Sequence, residues 1–140
     1  MNHTFSPCPS CHSVNKVDRE KGLKDEAVCG KCGDKLALHG LVSQVTTAEL
    51  QSILKNSDRP VVVDFWAAWC GPCRSYGPEF ERASTHTDAV FVKIDTEAEQ
   101  AFSAQLGIRG IPCTILFQGG KEVKRQAGAM DAATLKQWIG

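Results

Sequence analysis

The pattern of hydrophobic and polar positions changes character near residue 43 of this 140-residue chain. Over residues 1 to about 36 large apolar side chains are sparse; Phe5, Val14, Val17, Leu23, Val28 and Leu36 are the main ones. Such a segment cannot bury a core of its own without a staple. After a short apolar-leaning bridge at 37–42, helix and strand signals alternate. Thr46-Thr47-Ala48-Glu49 reads as a capping box, with Val45 and Leu50 placed as a hydrophobic staple, and predicts a helix to about Lys55. Residues 61–66 form an almost unbroken apolar run, as in a central strand covered on both faces. A helix is expected from Cys70, or just after it, to about His86, with a kink at Pro78. A second buried strand follows at 90–94. Thr96-x-x-Glu99 then reads as the start of another helix, which Gly107 terminates. Residues 114–117 and 122–126 form a hairpin about Gly119-Gly120, and 131–139 close as an amphipathic helix. This β-α-β-α-β-β-α order after a leading helix gives an α/β architecture around one sheet.

Composition changes the picture in two places. The 16 basic and 16 acidic side chains cancel, so there is no basic excess to follow nucleic acid or a membrane surface. No apolar run approaches the ~20 residues that a membrane span needs. The first ten residues lack the basic start and apolar stretch of a secretory signal, and a cytoplasmic protein is expected. Seven cysteines are then many, because thiols kept reduced more often bind metal or catalyse than form structural bridges. Six fall into C-x-x-C pairs: Cys8/Cys11, Cys29/Cys32 and Cys70/Cys73, with Cys113 left over.

The third pair differs from the others in its surroundings. Cys70 follows a buried-strand pattern and heads a helix, where backbone N–H groups and the helix dipole stabilise a thiolate. Such settings lower a cysteine pKa to around 7. Cys73, one turn further in, is placed to resolve a mixed disulfide, and Pro72 stiffens the first helical turn. Half a zinc site or two structural thiols is the plainer reading of the same spacing. Asp64 interrupts the apolar run six residues before Cys70, and a buried carboxylate is costly unless its pKa rises or it is paired. Beneath the dithiol it could pass a proton to or from Cys73; on a sheet edge it would be an ordinary solvated aspartate. Lys93 is the charge partner the pattern offers, with a solvated strand-end lysine as the alternative.

Val-Asp-Phe-Trp-Ala-x-Trp-Cys-Gly-Pro-Cys at 63–73, Pro78, Lys93, Gly110-Ile111-Pro112 and Gly128 together resemble the thioredoxin family over about residues 43–140. The resemblance implies a thioredoxin fold, with a central mixed sheet of four or five strands flanked by helices. It also implies a cis peptide before Pro112, opposite Cys70, where the backbone of Ile111 would hold an extended target segment. Trp69, Gly71, Pro72, Ile111 and Gly128 would form the apolar docking surface. The implied activity is that of a thiol–disulfide oxidoreductase: Cys70 attacks, Cys73 resolves, disulfide-containing proteins are the targets and a thioredoxin reductase restores the dithiol. Two positions depart from the family pattern. Cys113 stands where threonine usually follows the cis proline, either as a small buried strand residue or as a third thiol tuning the site. Ala68 replaces a common acidic residue and leaves that face less charged.

Cys8-x2-Cys11 and Cys29-x2-Cys32 are separated by 17 residues, within the spacing of tetrahedral four-cysteine zinc sites. Pro9, Gly30 and Gly33 suit the tight knuckles that turn N–H groups toward sulfur. Zinc would also supply the folding energy that this core-poor segment lacks. Cys8-Pro9-Ser10-Cys11-His12 matches a haem-attachment pattern too, but that reading needs export and leaves Cys29 and Cys32 unexplained. Disulfides among the four would require an oxidising compartment. His12 is redundant beside four thiolates, and His3, His39 and His86 show no ligand spacing. Residues 8–32 mix five basic with four acidic side chains and hold no aromatic, a solvated face rather than a phosphate track. The expected organisation is a zinc-ribbon module at 1–36, a linker at 37–42 and a thioredoxin domain at 43–140. That order resembles the zinc-containing thioredoxins of bacteria. A zinc-dependent redox sensor or holdase is the non-enzymatic alternative.

Overall fold

The computed structural model describes residues 3–140. Five strands form the main sheet: β3 (Val42–Gln44), β4 (Val61–Trp66), β5 (Val90–Asp95), β6 (Cys113–Gln118) and β7 (Lys121–Ala127). Their spatial order is β3-β5-β4-β6-β7. β5 runs parallel to both β3 and β4, and β6 and β7 are antiparallel. Parallel neighbours need crossovers, and helices α2 (Thr47–Asn56) and α3 (Gly71–Ser84) provide them. Helix α4 (Gln100–Gln105) leads into β6, and α5 (Ala132–Ile139) closes the chain.

Alternation along the central strands sends side chains to two cores. Val61, Val63 and Phe65 of β4 meet Val90, Val92 and Ile94 of β5 and Leu50 and Ile53 of α2 on one face. Val62 and Phe91 meet Tyr76 and Phe80 of α3 and Leu135 of α5 on the other. The capping box at Thr46 forms as expected: Glu49 donates its backbone N–H to the Thr46 hydroxyl, and the Thr46 N–H donates to the Glu49 carboxylate at 2.8 Å. The Thr96-x-x-Glu99 box does not form. Helix α4 starts only at Gln100, the Thr96 hydroxyl donates to the Trp66 carbonyl, and Glu99 instead accepts from the Thr47 backbone N–H and hydroxyl, each at 2.8 Å.

Strand β3 is absent from the sequence pattern, and it begins inside the 37–42 segment. It is three residues long with a polar centre, too short for alternation to register. Buried Ser43 is satisfied by donating to Ser6 at 2.9 Å. Ser6 belongs to the N-terminal module, in which β1 (His3–Pro7) and β2 (Val14–Asp18) form an antiparallel hairpin ahead of the short helix α1 (Arg19–Leu23).

This module and the segment that follows it cover the β3 edge of the sheet on its two sides. Phe5, 5% exposed, joins the α2-side core, with Val14 packed against the same cluster. On the α3 side, residues 39–42 fold into a turn whose Leu41 N–H donates to the Ser84 hydroxyl at 2.9 Å. Gly40 is required there: its φ is +60°, and a Cβ would lie 2.8 Å from the Glu81 carbonyl oxygen. Arg59 ties β1 to the sheet by donating to the carbonyls of His3 and Asp88. An otherwise open edge of backbone donors and acceptors is thereby covered. The sparse apolar residues of the N-terminal segment do not all build a separate core; Phe5 and Val14 complete the main one. Phe5→Ala is accordingly expected to destabilise the whole chain by about 3 kcal/mol, seen as a lower urea midpoint in a single transition. Loss of the hairpin alone, with the midpoint of the remainder unchanged, would refute this shared core.

Candidate active site and metal centre

The dithiol sits where β4 ends and α3 begins. Cys70 is the N-cap of α3, extended at φ −87° and ψ 112°, and its sulfur accepts the Cys73 N–H at 3.2 Å. Pro72 lies in the first helical turn, where no N–H is needed. The helix then continues through Pro78 to Ser84. Cys70 and Cys73 are joined as a disulfide with a Cα–Cα distance of 5.3 Å. Both are 4% exposed, so in this oxidised state Cys73 is no deeper than Cys70.

The Ile111–Pro112 peptide is cis and faces the dithiol, with the Ile111 carbonyl oxygen 3.7 Å from the Cys70 sulfur. Gly128, at φ +92°, donates its N–H to the Pro112 carbonyl at 2.8 Å and holds the same loop. Trp69 is 68% exposed, and Gly71 and Pro72 beside it are exposed or nearly so. Trp69, Gly71 and Pro72 adjoin Cys70 along the chain, and Ile111 faces it across the cis-proline loop. Trp69 is oriented by a residue the sequence does not single out: its indole N–H donates to Glu97 at 2.7 Å. Glu97 lies in the loop after β5, and no periodicity marks it.

Asp64 is on the central strand β4, on the α3 face, and is 1% exposed. Burial pushes its carboxyl up to about 7, against the opposing pull of Lys93. Lys93 pairs with Asp64 in the β4–β5 register, and its ammonium stacks 4.4 Å from the centre of the Trp66 ring. On the other flank Asp64 pairs with Thr114, whose hydroxyl lies 2.7 Å from that of Tyr76. Tyr76 is a further residue that sequence reasoning misses, although three residues after Cys73 is the helical spacing that turns a side chain to the sheet.

Cys113 pairs with Phe65 and lies in the α2-side core, whereas Asp64 and Thr114 face α3. Burial raises its thiol pKa, which disfavours the reactive thiolate. That environment is the one expected of a small buried strand residue.

The other four cysteines converge from two knuckles of the same build. In the first, Cys8 donates its N–H to Ser13 and accepts at its carbonyl from His12; in the second, Cys29 donates to Asp34 and accepts from Gly33. The residue after each second cysteine has positive φ: His12 at 64° and Gly33 at 83°. His12 is therefore a turn residue. Its ring reaches Glu49 at 3.4 Å and joins the knuckle to the start of α2. The Cys8 sulfur accepts the N–H groups of Ser10 and Cys11, and the Cys29 sulfur those of Lys31 and Cys32. The Cys32 and Lys31 N–H groups draw the Cys29 thiol down to about 6. All four sulfurs lie within 4.8 Å of one another, with Cys8–Cys32 at 3.5 Å and Cys11–Cys29 at 3.6 Å. A zinc tetrathiolate with bonds of ~2.3 Å has sulfur–sulfur edges of about 3.8 Å, so the donor set fits such an ion in number, chemistry and spacing.

A dithiol at a helix N-terminus, a facing cis-proline loop and a buried carboxyl on an α/β sheet define a thiol–disulfide oxidoreductase. The family model described as Thioredoxin matches residues 41–140, and the chain belongs to the thioredoxin family. It is 38% identical to "Thioredoxin C-3" of Corynebacterium nephridii over 133 residues, which takes in 94% of this chain and 90% of that one. That match extends into the N-terminal cysteine module. "Thioredoxin-2" of Saccharomyces cerevisiae is 41% identical, covering 71% of this chain and 96% of its own. Among solved structures, a single-residue mutant of the thioredoxin from Halobacterium salinarum superposes with a TM-score of 0.67 at 36% identity, over 74% of this chain and 91% of that one. Among the described residues no helix is long and apolar enough to cross a membrane.

Proposed function

We propose that this protein is a protein-disulfide reductase whose Cys70–Cys73 dithiol is restored by a thioredoxin reductase. The observation that carries the reading is the Cys70 sulfur at a helix N-terminus, 3.7 Å from the Ile111 carbonyl of the cis-proline loop. An extended target strand laid along Ile111 would present its disulfide to that sulfur, with Trp69, Gly71, Pro72, Pro112 and Gly128 as the docking rim. The Cys70 thiolate attacks one target sulfur, forming a mixed disulfide and releasing the other target sulfur as a thiolate. Cys73 then gives its proton to ionised Asp64 and attacks the Cys70 sulfur. The second target thiolate leaves, and the Cys70–Cys73 disulfide remains. A carboxyl titrating near 7 suits this step, since it can both accept and return a proton at neutral pH. Lys93 holds the charge balance beside it.

Cys8, Cys11, Cys29 and Cys32 would hold one zinc ion, which when bound cross-links the two knuckles. We assign residues 1–36 to this metal module, 37–42 to the linker and 43–140 to the catalytic domain, and place the protein in the cytoplasm, where thiols stay reduced. The test is insulin reduction by the full-length chain with NADPH and thioredoxin reductase. An equilibrium potential near ~−270 mV supports a reductase, and one above about −200 mV overturns that direction. Elemental analysis is expected to find one zinc per chain, and none in a Cys8→Ser/Cys29→Ser double variant, whose thermal midpoint should fall by several degrees because Cys8 follows β1 and its core residue Phe5. Absence of zinc from protein prepared in its presence would refute the metal site.

A further inference from the structure

A cavity of about 230 Å3 opens on the α3 face of the sheet, away from the dithiol rim. Ala37, His39, Gln44, Trp66, Glu81 and Lys93 line it. At about 30 Å3 per molecule it has room for several waters, and Glu81, Lys93, Gln44 and His39 give them polar partners. Two of its lining residues neighbour Asp64: Lys93 is the register partner of Asp64, and Trp66 follows Asp64 by two residues on the same strand face. One Asp64 carboxyl oxygen, Oδ1, has no hydrogen-bond partner among the described residues. A buried oxygen so placed needs water.

The roof comes from the N-terminal bridge. Residues 39 and 42 exchange both backbone hydrogen bonds, at 3.0 and 2.9 Å. The turn is seated on α3 by Leu41 donating to Ser84 and by Ser84 donating to the Glu81 carbonyl at 2.6 Å. It is a fixed lid rather than a loose connector.

We propose that this cavity is the route by which water and protons reach the Lys93–Asp64 pair, with Ala37 and His39 as positioning residues that set how wet the pair is. The proposal rests on the reading that Asp64 takes the Cys73 proton, and it makes the bridge at 37–42 a determinant of that step. On the Asp64 face the titratable groups are Lys93 from β5 and Tyr76 from α3, with His39 of the turn and Glu81 of α3 bordering the cavity; Cys113 of β6 lies on the opposite face of the sheet. Of these His39 alone lies in the bridge at 37–42.

The test is a carboxyl 13C NMR titration of Asp64 in the reduced, zinc-loaded full-length protein, with a pH profile of single-turnover target release. Ala37→Phe adds bulk at the border of the cavity and, where the ring covers its mouth, should move the Asp64 midpoint upward by about half a unit or more, because drier surroundings disfavour the carboxylate. His39→Ala widens the mouth and should move it downward, and the inflection of the release profile should follow in each case. If Ala37→Phe does not fold, the exposed His39→Ala position still decides the matter. A raised midpoint in the parent protein that stays fixed in both folded variants overturns the access route alone. An ordinary carboxylate titration of Asp64 in the parent protein sinks the proton-relay reading beneath it.

Discussion

Replacing Cys73 with serine is expected to leave the protein able to attack a target disulfide and unable to let go of it. Cys73 is held 5.3 Å from Cys70 between Cα atoms, so its attack on the mixed disulfide is intramolecular. Well-placed intramolecular groups act at effective concentrations on the order of 10^5 M, whereas a thiol from solution offers millimolar concentrations at most. Turnover in insulin reduction should fall by at least ~1,000-fold even after allowance for imperfect alignment. Covalent adducts should accumulate on Cys70, visible as thiol-reversible bands and assigned by mass spectrometry. Cys113 cannot substitute, because its side chain packs into the α2-side core, on the opposite sheet face from Asp64. The four clustered cysteines are tied to each other in the N-terminal knuckles. Near-normal turnover, or adducts on any other cysteine, would refute the assignment of attacking and resolving sulfurs.

Much of this site is legible in the sequence because its chemistry is local. A cysteine that caps a helix after a buried strand needs only its neighbours to identify it, and so do two knuckles with matched C-x-x-C spacing. Asp64 is legible as an anomaly in an apolar run, and its burial follows from β4 being central. What is not legible depends on residues distant in sequence. Glu97 meets Trp69 across 28 residues, and Ser6 meets Ser43 across 37. Glu99 looks like half of a local capping box but spends its carboxylate on Thr47, because the capping position of α2 lies beside the end of β5. Local propensity cannot weigh that competitor. Phe5 shows the same limit more plainly: its hydrophobicity is visible, but not that its partners lie at residue 45 and beyond.

The covering of β3 connects these two kinds of information. In the main sheet β3 is an edge strand of three residues, and it keeps its place through neighbours on both faces. The hairpin supplies Phe5 on one side, the 39–42 turn supplies Leu41 and the cavity roof on the other, and the knuckles hold the hairpin. The four-cysteine cluster, the protected sheet edge and the surroundings of Lys93 are therefore parts of one packing arrangement.

Asp64→Asn should raise stability and lower activity at once. The carboxyl titrates at 3.8 when unfolded and near 7 when folded. Between these values the folded state holds a proton that the unfolded state has lost, so stability falls as pH rises through the window and levels off above it. Raising the carboxyl from 3.8 to about 7 corresponds to a penalty of about 4 kcal/mol at pH 8, and to almost none below pH 4. Asparagine is neutral throughout and nearly isosteric, so urea unfolding should show it more stable by about that amount at pH 8, with the advantage vanishing in acid. Release of target from the mixed disulfide should slow on the order of 100-fold, because Cys73 loses its proton acceptor, and the inflection near pH 7 should disappear. The two effects have one cause: the burial that makes ionised Asp64 unfavourable in the folded protein is what tunes it to exchange a proton with Cys73. If the variant and parent show the same pH dependence of stability, Asp64 is not the buried titrating group and its role in the exchange falls with it.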